Sequence, residues 1–171
     1  DGVKFSYPPG ATPLDPDSAA DLIPGLTTQA ELNEFEARNI LEAQRWARTR
    51  LKRLRSELLT DTGLQRLHRR MFDETWRWAG EYRKRETNIG IDPRLIPTQA
   101  RLLCHDATSW IEHSTFPWPE LAIRFHHRLV SIHLFPNGNG RHARLAADLL
   151  LASNEQSPLR WSGNRSLVEV G

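Results

Sequence analysis

The stretch from Pro119 to Ser153 constrains the fold more than any other part of the chain. Two segments, PELAIRFHHRLVSIH and RHARLAADLLLAS, flank a five-residue break, Pro136-Asn137-Gly138-Asn139-Gly140. The break joins a residue of fixed φ to residues that tolerate positive φ, so the chain turns there. The segment before it opens with a proline well placed for a helix start, which predicts a helix from Pro119 to His133. The segment after it is rich in strong helix formers and predicts a helix beginning near Gly140 or Arg141. A turn between two helices therefore gathers His133, Arg141 and Arg144 within a dozen positions.

Helical spacing recurs towards the N-terminus. Thr28 and Glu31 match a capping box, and Leu32, Phe35, Ile40, Ala43, Trp46 and Ala47 follow at roughly helical spacing to about Leu54. A second helix is expected after Asp61, through Leu64, Leu67, His68, Met71 and Phe72 into TWRWAGEYR, where Gly80 ends it or turns the chain. Another is expected from about Thr98 to His113, with Leu102, Leu103, Ala107, Trp110 and Ile111 as its apolar face. Between these, KRETNIGIDPRLIP sets β-branched residues among Gly, Asp and Pro breakers, the pattern of a short hairpin or extended loop. Residues 1–25 hold five prolines and three glycines and read as an extended N-terminal arm. No internal repeat is present. The expected fold class is all-α, a helical bundle with one small β-hairpin.

At 171 residues and 39% hydrophobic, the chain fits one domain with a sizeable core. A net charge of +2 is too weak to argue for a nucleic-acid partner on its own, and none is expected. The local crowds Arg45, Arg48, Arg50, Lys52, Arg53, Arg55 and Arg83, Lys84, Arg85 read as solvated faces. The single Cys104 excludes an internal disulfide and a cysteine metal cage, which favours a reducing compartment. No apolar run of about 18 residues is present, and the first residues lack the basic and apolar regions of a signal peptide. The expectation is a cytoplasmic protein with no membrane partner. His126, His127 and His133 have no cysteine or HExxH pattern around them, and read as packing residues rather than metal ligands. The tryptophans, Trp76, Trp78 and Trp110 among them, read as core.

The helix after the turn would aim its unpaired N–H groups and positive dipole end at the Gly-Asn-Gly segment, an anion site already built. Arg141 and Arg144 lie one turn apart on one side, and their guanidinium forks suit phosphate oxygens. A cation in the first turn opposes the dipole, so Arg141 stands where a purely structural sequence prefers an acid. His133, across the turn, could take a proton from a hydroxyl attacking a bound phosphorus.

HLFPNGNGR followed by Arg144 resembles the signature of the Fic family, His-x-Phe-x-acid-Gly-Asn-Gly-Arg-x-x-Arg. The resemblance extends through LNEFEARNI, LHRRMF, WRWAGEYR and RFHHRLVSIH, over about residues 26–152 of a domain taken as 26–171. With ATPLDPDSAADLIPGLTT it is most similar to the branch called mobile mystery protein B. The resemblance implies an all-α fold and a protein adenylyltransferase: transfer of AMP from ATP to a Ser, Thr or Tyr hydroxyl of a target protein. It implies His133 as general base and Gly138, Asn139 and Gly140 as the phosphate cradle. Arg141 and Arg144 are the phosphate cations and Phe135 is the loop anchor. The segment Thr87, Asn88, Ile89, Gly90, Ile91 matches the family's flap, a device that lines up the target chain by β-augmentation.

The sequence departs from the signature at Asn137, where the family's metal-binding acid is replaced by an amide that offers Mg²⁺ a carbonyl oxygen but no charge. Three consequences stay open: phosphates that hold Mg²⁺ largely alone, a low rate, or a donor other than ATP. A self-inhibiting Ser/Thr-x-x-x-Glu helix, common in the family, has its spacing matched by Thr27 and Glu31, although Leu32 follows where a small or amide residue is usual. Members of the branch are often encoded beside a helix-turn-helix protein, a toxin–antitoxin-like arrangement on bacterial mobile elements, which makes such a protein a candidate regulatory partner. Two other readings remain: transfer from another phosphate-containing donor through the same site, and a catalytically silent regulatory domain.

Overall fold

A computed structural model of the chain describes residues 20–26 and 28–161. Helix α1 runs Gln29–Arg48, α2 Leu51–Glu57, α3 Asp61–Phe72, α4 Ile96–Glu112, α5 Trp118–Ile132 and α6 Asn139–Ser153, with one 3₁₀ turn at Pro93–Leu95. The architecture is all-α, and among the described residues there are no strands beyond a single isolated bridge. None of these helices is long and apolar enough to cross a membrane.

The centre of the bundle is α6. Its Ala143, Leu145, Ala146, Ala147, Leu149, Leu150 and Leu151 are all buried, together with the polar His142 and Asp148, so the helix is covered on most of its sides. It packs on α5, α2 and α3; α1 packs on α3, and α4 on α5 and α3. The alanines allow this close approach, and the large side chains come from the neighbours: Leu54, Leu64, Leu67, Met71, Phe72 and Phe125 are almost fully buried.

The helix expected from Thr28 to about Leu54 is broken in two. Thr49 turns its hydroxyl onto the Trp46 carbonyl at 2.8 Å and Arg50 takes non-helical angles before α2 begins. The expected cap holds: Thr28 Oγ1 accepts the Glu31 N–H at 3.1 Å. Thr60 caps α3 in the same way through the Gly63 N–H at 3.0 Å. After Phe72 the chain leaves helix and passes through turns to Gly80, which takes φ +81°. Those turns dock on α1 through buried Asn39, whose oxygen accepts from Glu74 N–H and Thr75 Oγ1 at 3.1 Å each.

The N-terminal arm lies outside the described residues as far as residue 19. Its last residues lie along the turns after α3: Ile23 N–H donates to Thr75 O at 2.8 Å and Arg77 N–H to Asp21 O at 2.9 Å.

The expected hairpin is not formed. Residues 81–92 carry no strand, and 84–90 are exposed. A ladder needs carbonyls facing N–H groups, and here the carbonyls of Arg85 and Ile91 turn inward to the Arg83 guanidinium instead. Gly90, at φ +100°, breaks the extended run further. Of the tryptophans, Trp76 and Trp78 are buried core and Trp110 is half-buried.

Candidate functional site

The loop between α5 and α6 is held from three directions. Asn139, 7% exposed, clamps its own loop: its side-chain oxygen accepts the Phe135 N–H at 2.9 Å and its NH₂ donates to the Phe135 carbonyl at 2.8 Å. Phe135 is fully buried and stacks on the His68 ring at 3.7 Å between centroids, with the His142 ring set edge-on at 5.0 Å. His68 accepts the Gly80 N–H on Nδ1 at 2.9 Å and so carries its proton on Nε2, which donates to the Asn137 carbonyl at 3.0 Å. Burial, together with the neighbouring His142, pushes the His68 pKa well below the ordinary histidine value, so the ring stays neutral in this tautomer.

The two outer glycines of the turn differ in what folding asks of them. Gly138 sits at φ +78°, and a Cβ there would stand 2.5 Å from Phe72 Cζ, so no other residue fits. Gly140 has no such requirement. It lies in the first turn of α6, and a Cβ on it would meet only the Arg144 guanidinium at 3.5 Å.

The first intrahelical bond at this end of α6 is His142 N–H to Gly138 O at 2.9 Å. The N–H groups of Asn139, Gly140 and Arg141 therefore precede the ladder, with the positive end of the dipole behind them. Arg144 is half-buried beside Gly140 and makes no ion pair among the described residues. Arg141 is placed differently: its guanidinium lies over the Phe72 ring at 5.0 Å and pairs with Glu36 at 3.2 Å. Glu36 is buried and also accepts the Trp76 indole N–H at 3.2 Å. Thr27, half of the inhibitory spacing, lies outside the described residues, and a carboxylate that meets a signature arginine is Glu36. Glu36 stands in LNEFEARNI with no marker beyond its helical phase, which is why its role was illegible.

His133 ends α5. It adopts left-handed angles, φ 58° and ψ 69°, and its N–H still donates to Leu129 O at 3.1 Å. Two residues on, the Phe135 backbone is tied to the Asn139 side chain at the start of α6, so about 7 Å of chain separates His133 from a point anchored on that helix. Its ring is half-buried, and burial together with the Arg83 charge lowers its pKa below 6.5, leaving a neutral imidazole at neutral pH.

Of the basic crowd Arg83, Lys84, Arg85 expected on a solvated face, Lys84 and Arg85 are exposed but Arg83 is buried, because its guanidinium finds backbone carbonyls in place of water. Arg83 lies in WRWAGEYR, is 4% exposed, and spends its guanidinium on backbone carbonyls at the end of α5 and in the segment 85–91. In that segment the Thr87 hydroxyl closes a small turn onto the Ile89 carbonyl, Ile89 is 62% exposed, and Gly90 packs against the His133 Cβ. Asn88 is exposed, and Ile91 N–H reaches Ile132 O at 3.4 Å. The segment thus runs past the histidine without regular structure.

The residues present do not build a Mg²⁺ site of their own. Asn137 Oδ1 already accepts the Gly138 N–H at 2.8 Å, and no group of three His, Cys, Asp or Glu converges among the described residues. His126 packs on Trp161 at 4.6 Å between ring centroids, consistent with a packing role.

A model of the Fic/DOC family matches residues 58–151, which include α3 to most of α6 and the loop. A solved structure of a Fic domain containing signaling protein from Bacteroides thetaiotaomicron superposes with a TM-score of 0.58 at 23% identity. That match covers 68% of this chain and 48% of the solved one, so this chain spans about half the length of that relative. No curated protein matches the chain. With the family model covering more than half of its length and ending on the helix that carries the loop, the chain belongs to the Fic/DOC family.

Proposed function

We propose that the domain is a transferase that moves AMP from ATP to a Ser, Thr or Tyr hydroxyl of a target protein, with His133 as the base. The donor's phosphates lie against the N–H groups of Asn139, Gly140 and Arg141 and against the Arg144 guanidinium. His133 takes the proton from the hydroxyl as its oxygen attacks the α-phosphorus. The bond to the α–β bridging oxygen breaks, and pyrophosphate leaves with the electron pair.

One observation carries this reading. Gly140 is a glycine for which folding offers no reason, set between open helix N–H groups and an arginine with no carboxylate partner among the described residues. A ligand backbone or phosphate that must come close explains all three. Asn139 takes part through its N–H alone, because its side chain is committed to Phe135. Arg141 reaches a phosphate only by leaving Glu36.

Asn137 favours a second reading, transfer from a different phosphate-containing donor. A lone amide oxygen already holding an N–H gives Mg²⁺ little to bind, and a donor that needs no protein-held metal suits it better. Membership of the mobile mystery protein B branch, a cytoplasmic setting and a helix-turn-helix partner belong to the same proposal.

The test is label transfer from several α- and β-labelled nucleotide donors to a mixture of candidate proteins, with wild type and His133→Ala side by side. Labelled protein from wild type alone, with nucleotide binding retained in the variant, supports the reading. Turnover by His133→Ala within a few-fold of wild type removes His133 from the role.

A further inference from the structure

We propose that Arg83 is a positioning residue that fixes the segment 85–91, which contains the proposed target-docking flap 87–91, at a set distance from the proposed base His133. The inference deepens the transferase reading and rests on it for the names of those two parts. Its geometry is independent of that reading.

Arg83 follows the turn at Gly80, and its backbone N–H donates to Leu134 O at 2.9 Å, which places the side chain under the end of α5. From there the guanidinium forks. Nε donates to the His133 carbonyl, Nη1 to Arg85 O at 2.9 Å, and Nη2 to Ile91 O and to Ile132 O at 3.3 Å. One planar group therefore holds both ends of the exposed segment and the last two carbonyls of the helix that ends on His133. Carbonyls at a helix C-terminus carry the negative end of the dipole, which makes them good partners for a buried cation. No carboxylate is needed in contact; Asp92 and Glu86 act on Arg83 only at longer range, and Arg83 is the charged group that acts on His133.

Ordinary packing does not call for this arrangement. The carbonyls of Arg85 and Ile91 could be left to water on an exposed loop, at no cost in burying a long charged side chain. Instead the loop is pinned by its two ends while its middle, with Ile89 outward, stays free of regular structure. Gly90 completes the fit, because a Cβ there would stand 2.6 Å from both Arg83 Nη2 and His133 Cβ. The phosphate loop is held separately, by Asn139 on Phe135 and His68 on Asn137. Arg83 thus controls where the acceptor side of the site lies relative to the base, and leaves the donor side alone.

The experiment compares wild type, Arg83→Lys and Arg83→Met. Lysine keeps the charge but cannot fork to four carbonyls, and methionine keeps only the stem. Amide hydrogen exchange is read first, since it needs no substrate. In Arg83→Lys the segment's Ile91 amide, which donates to Ile132 O, should exchange at least about tenfold faster, with α6 amides unchanged. Unchanged exchange in that segment overturns the proposal whether or not the protein transfers AMP. In the transfer assay, Arg83→Lys should lower kcat about tenfold or more and leave KM for the nucleotide within about threefold. Wild-type kcat, or losses of kcat and nucleotide binding in equal proportion, would overturn it. The His133 imidazole, followed by NMR, should titrate as in wild type in Arg83→Lys and at higher pH in Arg83→Met. A purely structural role moves both variants alike.

Discussion

At the scale of single residues, the turn assigns each side chain one task. Asn139 could have been a phosphate ligand by its side chain, but both of its amide atoms serve Phe135. Arg141 and Arg144, equivalent in the sequence, part company: one lies on Phe72 and Glu36, the other stands beside open N–H groups. Asn137 is the position with most left to gain. Asn137→Asp preserves the oxygen that accepts the Gly138 N–H and adds a charge next to the proposed phosphate site. Asp and Asn are both tolerated in such turns, so the stability change should stay within about 0.5 kcal/mol. Label transfer from ATP should rise in the variant with Mg²⁺ concentration, and should fall below wild type when Mg²⁺ is scarce, because the free carboxylate repels phosphate. Two superimposable Mg²⁺ titrations would remove Asn137 from any metal position and shift weight to another donor.

At the scale of elements, the start of α6 separates what the fold needs from what the ligand needs. Gly138→Ala must place a Cβ 2.5 Å from the Phe72 ring on a backbone at φ +78°. The left-handed conformation alone costs about 1–2 kcal/mol, and the clash adds to it. Urea unfolding should show a loss of about 3 kcal/mol, partly recovered by pairing it with Phe72→Leu. Gly140→Ala should do the reverse: alanine in a helix is favoured by about 0.5–1 kcal/mol, and its Cβ meets nothing but a mobile arginine end. The variant should unfold at equal or higher denaturant while its affinity for ATP drops about tenfold. Undiminished nucleotide affinity in Gly140→Ala would take away the main support for a phosphate site here. These elements were largely legible from sequence, since helical spacing, the Thr28 cap and the Pro-Asn-Gly-Asn-Gly break are all local signals. The break at Thr49–Arg50 was not, because a hydroxyl folding back on the Trp46 carbonyl leaves no periodic trace. The hairpin was misread for a related reason: β-branched residues between breakers suit a strand, but the segment's hydrogen bonds go to the side chain of Arg83.

At the scale of the whole molecule, the site stands on a buried pair of histidines, of which only His68 falls in an apolar helical pattern of the sequence and whose pairing no local pattern announces. His68 in α3 and His142 in α6 lie 5.5 Å apart between ring centroids, almost without exposure, and bracket Phe135. His142 donates to the Leu64 carbonyl at 2.9 Å, and burial lowers its pKa from 6.5 to about 4. In the unfolded chain the same ring titrates near 6.5, so between pH 6.5 and 4 the unfolded state binds more protons. Its contribution to stability is therefore complete above pH 6.5 and is lost as pH falls towards 4, about 3 kcal/mol across that window. His68, shifted in the same direction, adds to the loss. Helices α3 and α6 should then come apart together on acidification, and the loop they carry should fail at the same pH. Urea unfolding at intervals from pH 7 to 4.5 measures the slope in wild type and in His142→Gln, whose amide can still donate to Leu64. The variant should be less stable at pH 7, having lost the ring that packs on Phe135, and its stability should fall less steeply. The two curves should approach one another as pH drops. Parallel curves would mean that His142 is protonated in the folded protein at moderate pH, and that the neutral pair does not hold the loop.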